Sequence, residues 1–121
     1  MKIKYSNKKV EQQCTNLKKA TKLFGGDKKM GISLLSRINL IEQANVIKDI
    51  VQMKNLHFHN LSGKLKGYFA IDVRQRSDKW RLILRPLDDE EMAFDPCNID
   101  EIASVVNVVE IKEVSGHYEQ L

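Results

Sequence analysis

The side chains best suited to chemistry gather between residues 56 and 86, in "LHFHNLSGKLKGYFAIDVRQRSDKWRLILRP". His57 and His59 stand two apart, ahead of a loop that carries Lys64 and Lys66. Tyr68 then opens an apolar run, and Arg74, Arg81 and Arg85 follow it. Imidazole moves protons near neutral pH. Guanidinium offers two parallel donors to phosphate oxygens, and lysine adds positive charge. A tyrosine ring can stack on a base. Together these groups suit a phosphodiester. Taken singly, each has a plainer use, since an arginine on an exposed strand usually solubilises and a lone tyrosine usually lines the core rim. It is their co-location that points to a site. A metal is not implied: the H-x-H pair lacks two further ligands at metal-site spacing, and no C-x-x-C occurs. The acidic cluster at 87–101 is distant in sequence from the basic strands, which argues against a metal nuclease, and no cofactor motif appears.

Charge along the chain favours the same chemistry. The net charge is only +4 over 121 residues, yet residues 1–30 carry nine Lys against two acids, and residues 54–86 carry eight basic side chains against two acidic ones. Residues 87–121 carry one Lys and ten acids. A basic front and an acidic tail suggest a polyanion partner, with nucleic acid the first candidate, unless folding interleaves the segments. At 42% hydrophobic and 30% charged, the composition fits one folded domain over 1–121. No run approaches the roughly 20 apolar residues of a membrane span, and the N-terminus lacks a signal-peptide core. A cytoplasmic location is the expectation. Cys14 falls in an apolar helical register and Cys97 in a turn, "DPCN", so a disulfide framework is not indicated.

The elements that must position these groups follow from periodicity. "KIKY" can form a short first strand. Val10, Cys14, Leu17, Thr21 and Phe24 recur at threes and fours, predicting one helix from about Lys8 to Gly25-Gly26. Ser6 or Asn7 can cap its start. Asp27 can cap a second helix with the stripe Met30, Leu34, Ile38 and Ile41, and Asn45 a short third. The period then falls to two. Phe69, Ile71 and Val73 alternate with Tyr68, Ala70 and Asp72, and Trp80, Leu82 and Leu84 with Arg81, Ile83 and Arg85. Pro86 is expected to stop that strand. "NIDEIAS" can make a helical turn, and "VVNVVEIKEV" a last strand with Asn107, Val109, Ile111 and Glu113 on one side. The expected fold is α+β: an N-terminal helical hairpin on one face of a small, mainly antiparallel curved sheet. Strand parity then sends Arg81 and Arg85 to the opposite face, about 13 Å apart, beside Tyr68, Arg74 and the His59–Lys66 loop.

The run "HNLSGKLKGYFAIDVRQRSDKWRLILRP" followed by "VVEIKEVSGHYE" resembles the RelE superfamily of bacterial toxins, most closely the HigB-like plasmid maintenance killer branch. The resemblance covers about half the chain, at 57–86 and 106–119. It implies a RelE/ParE-like fold and a metal-independent, ribosome-dependent mRNA endoribonuclease of a type II toxin–antitoxin system, one that inhibits translation. In that chemistry the ribose 2′-hydroxyl attacks the adjacent phosphate, leaving a cyclic phosphate and a free 5′-hydroxyl. By position, the resemblance gives His59 a base or acid role. It gives Arg81 the scissile phosphate, and Lys64 and Lys66 phosphate contacts. His117 and Tyr118 match a C-terminal pair near the scissile site. Asp72 and Ser62 depart from the family's basic residues, and the order His117-Tyr118 is reversed. His57 is expected to face away from His59.

The resemblance also implies partners: the ribosome with its mRNA, and a HigA-like helix-turn-helix antitoxin in a heterotetramer, with DNA bound only through that complex. Read from the residues alone, a non-catalytic basic RNA- or DNA-binding module is the alternative, and a self-associating interaction protein a third.

Overall fold

The computed structural model describes residues 1–117. Strand β1 (Lys2–Tyr5) leads into the helical layer of α1 (Lys8–Thr15), α2 (Leu17–Leu23), α3 (Lys28–Gln43) and the short α4 (Ile47–Val51). Then come β2 (His59–Asn60), β3 (Phe69–Asp72), β4 (Arg81–Leu87), α5 (Ile99–Ile102) and β5 (Val108–Ser115). Among the described residues the sheet has five strands in the order β1-β5-β4-β3-β2. β1 runs parallel to β5, and the other pairings are antiparallel. The class is α+β, with N-terminal helices on one face of an open, mostly antiparallel sheet.

The single helix expected over 8–24 is two helices. Asn16 leaves helical geometry at φ −127°, and its side chain accepts the Lys19 N–H at 3.0 Å. An asparagine mid-pattern offers the backbone a cap in place of a continued helix. Asn7 and Asp27 cap α1 and α3 as expected, accepting the N–H of Val10 and Met30. Gly25 and Gly26, at φ +68° and +96°, turn the chain between α2 and α3. The two helices then pack so closely that a Cβ on Gly31 would lie 2.8 Å from the Thr21 hydroxyl.

The core lies between helices and sheet. Leu34, Ile38 and Ile41 of α3 meet Ile71, Leu82, Leu84, Val109 and Ile111 of the sheet, all buried. Trp80 turns inward and meets Phe24 edge-on, with ring centroids 4.9 Å apart. Two strand expectations need correction. Pro86 does not end β4. It pairs with Val109 beyond Leu84, where β3 has already stopped, so no β3 ladder partner is lost to its missing N–H. Glu113 does not share a side with Val109 and Ile111. The register shifts between Ile83 and Leu84, and past the bulge Val114, not Glu113, faces the core beside Leu82.

Candidate functional site

Cross-strand partners identify the face turned away from the helices. Ala70 pairs with His59 and Ile83, Asp72 with Arg81, Arg85 with Glu110, and Ser115 with Arg81. His59, Arg81 and Arg85 therefore share that face, as parity requires. What each does there was not legible from alternation.

Arg81 is a correction. It is only 7% exposed, and it does not present its guanidinium to solvent. Nη1 donates to the carbonyls of Asp78 (2.7 Å) and Trp80 (2.8 Å), and Nη2 to that of Arg76 (2.9 Å). Nε lies 3.3 Å from the carboxylate of Asp72, which is 1% exposed. The β3–β4 loop folds back over the strand, so a buried charge is matched by Asp72 and by loop carbonyls. Asp72 also links the layers: its backbone carbonyl accepts from Arg37 Nε of α3 at 2.9 Å. Burial pulls the Arg37 guanidinium below its ordinary range, and the Asp72 charge opposes that pull.

Arg85 is half-buried. Its Nε donates to Glu110 at 2.8 Å, and its guanidinium lies 4.8 Å from the Tyr68 ring. Lys112 Nζ sits 5.4 Å from the same ring. Tyr68 is thus a platform for two cations of its own chain, which competes with the base stacking expected of it. Lys64 and Lys66 are exposed in a tight loop, and Arg74 is exposed just after β3. His117 is exposed, its N–H bonded to the Ser115 hydroxyl at 3.1 Å. Tyr118 lies outside the described residues.

The histidines are closer than expected. His57 adopts left-handed backbone geometry at φ 53°, ψ 47°, so it does not alternate with His59. The rings lie 5.0 Å apart. The same turn aims the His57 carbonyl at His59 Nδ1, 2.8 Å away. A carbonyl only accepts, so Nδ1 carries the hydrogen, and the neutral ring holds its basic lone pair on Nε2. Arg76 Nη1 stands 3.5 Å from His57 Nδ1, a long contact that favours the lone pair on that atom. Arg76 went unremarked in the sequence because nothing local marks it. It arrives here through the loop that Arg81 holds by the Arg76 carbonyl.

His59 also borders a cleft of about 680 Å³ at the β2 edge, together with Lys66, Phe58 and Asn60. Cys97, Asn98, Ile99 and Asp100 line it as well. That segment is brought close by bonds from Ile47 N–H to the Val106 carbonyl (2.9 Å) and from Lys48 N–H to the Ala103 carbonyl (3.0 Å). Burial pushes the Cys97 thiol upward, so it stays protonated near neutral pH and is a poor nucleophile. Among the described residues no group of three His, Cys, Asp or Glu side chains is placed to hold a metal ion. Among them also, no helix is long and apolar enough to cross a membrane. No family model matches the sequence, and comparison with curated proteins gives no match either.

Proposed function

We propose that this chain is an RNA-cleaving toxin of the RelE/HigB-like type, acting on mRNA at the ribosome in the cytoplasm without a metal and held in check by a helix-turn-helix antitoxin. One observation carries the reading: His59 is held with Nε2 as its basic atom, at the lip of a cleft shared with Lys66 and close to His57 and Arg76. In this reading Nε2 takes the 2′-hydroxyl proton as O2′ bonds to phosphorus. The P–O5′ bond breaks, leaving a 2′,3′-cyclic phosphate, and the leaving 5′-oxygen takes up a proton, a role that only the resemblance gives to His117. Arg76, Lys64 and Lys66 offset the charge on the phosphorane. Arg81, which the resemblance assigns to the phosphate, acts here by holding the loop that carries Arg76.

The burial of Arg81 is also what favours the second reading, a non-catalytic RNA-binding module. Controlled expression of wild type and His59→Ala, with growth and mRNA ends followed together, separates the two. Loss of cleavage by about 10²- to 10⁴-fold in His59→Ala, with RNA affinity kept, is the expected result. Equal arrest by both proteins, or no new mRNA ends from wild type, removes the nuclease.

A further inference from the structure

We propose that the cleft between β2 and the segment preceding and forming α5 is a nucleotide pocket selective for guanine. The proposal rests on the nuclease reading only in placing the scissile phosphate beside His59. The cleft's volume of about 680 Å³ is large enough for a nucleotide, and its lining mixes the apolar Val51, Phe58 and Ile99 with the polar His59, Asn60 and Asp100. Phe58 lines it and is backed by Phe69, the rings nearly parallel at 20° with centroids 4.9 Å apart. A purine laid on Phe58 extends that stack, and purines offer the larger π-face. Lys66, which lines the cleft together with His59, gives it a cation suited to the nucleotide's phosphate.

The polar lining decides the base. Asp100 carries a carboxylate, an acceptor only, and Asn98 and Asn60 carry amides that both donate and accept. Guanine carries adjacent N1–H and N2–H donors that match two carboxylate oxygens, with O6 left for an amide donor. Adenine, cytosine and uracil lack that adjacent pair of donors. The acidic segment and the basic loop, far apart in sequence and opposite in charge, thus line one cleft with separate tasks, Lys66 for the phosphate and Asp100 for the base. Asp100, Asn60 and Lys66 are exposed, so their replacement spares the core.

The test titrates the intact protein with GMP, AMP, CMP and UMP and follows backbone amide resonances. Expected are shifts at Phe58, Asn60, Lys66, Asn98 and Asp100. GMP should bind at least about tenfold tighter than the others, and Asp100→Asn should erase that margin, as a lost charged hydrogen bond would. Cleavage maps of wild type and Asp100→Asn give the second readout: cuts beside G that lose their preference in the variant. If the four nucleotides bind alike or shift residues elsewhere, the pocket assignment is wrong even where His59-dependent cleavage stands. If GMP binds as described but mRNA is not cut, the nuclease falls and the guanine site stands.

Discussion

The two faces of the sheet obey the same alternation and differ in everything else. On the helix side, Ile71, Val73, Leu82, Leu84, Val109 and Ile111 are buried against α3 and its neighbours. On the far side, parity correctly places Arg81 and Arg85, and His59 joins them through its pairing with Ala70, but Arg81 is as buried as a core residue and Arg85 is bound to Glu110. For an apolar residue, knowing the face is enough, because burial is its only stable outcome there. For an arginine, the face leaves two outcomes open. It can meet solvent and a ligand, or its own chain can close over it when a carboxylate and carbonyls meet its donors.

The largest effect that would sharpen this contrast comes from Arg81→Ala. It strands the Asp72 carboxylate in a buried site and frees the 76–80 loop, so unfolding in urea should show a loss of about 3–5 kcal/mol. Arg81→Met with Asp72→Leu should recover most of it. A loss under about 1 kcal/mol in the single variant would mean that Arg81 is held no more firmly than a surface residue.

A second test addresses the helix side through pH. Burial raises the Cys14 thiol to about 12 from an ordinary 9.0. The folded state thus keeps a proton that the unfolded chain gives up above about pH 9. Stability from this group is intact below that point and is lost as pH climbs toward 12. The urea midpoint should fall over that window, and Cys14→Ala, though less stable at pH 7, should fall less steeply. Parallel slopes would refute the assignment. Tyr5, raised further by burial and by the neighbouring Cys14, contributes in the same direction at the upper end.

The smallest effect belongs to Arg85 and Glu110. With the Arg85 side chain 30% exposed, a double-mutant cycle in which each becomes Ala should give a coupling of only about 0.2–1 kcal/mol, falling with added salt. A coupling as large as that of the Asp72–Arg81 pair would erase the distinction between the buried and the open parts of this face.

Much of the fold was legible because its signals are local. Val10, Cys14 and Phe24 of the expected helical stripe are buried, Asp27 caps α3, and Phe69, Ile71 and Val73 alternate with Ala70 and Asp72. The misses arose where a local pattern met a long-range partner. Nothing before Asn16 predicts a break; the bulge near Glu113 exists only against β4; Pro86 is tolerated because β3 ends early. The candidate site divides in the same way. His59 and the lysine loop stood out by residue type. His57 was misjudged because alternation does not extend through a left-handed residue. Arg76 and Asp100 were invisible, since one is delivered by a folded-back loop and the other by a long connection anchored on α4.

By itself the sequence determined the class of fold, the apolar face of the sheet and the face on which Arg81 and Arg85 stand, because side-chain direction follows from backbone period. Tertiary structure decided which of those cations still meets solvent, which nitrogen of His59 is basic, and which residues share its cleft. Each of these depends on carbonyls, carboxylates and loops that lie far away along the chain and become neighbours only when it folds.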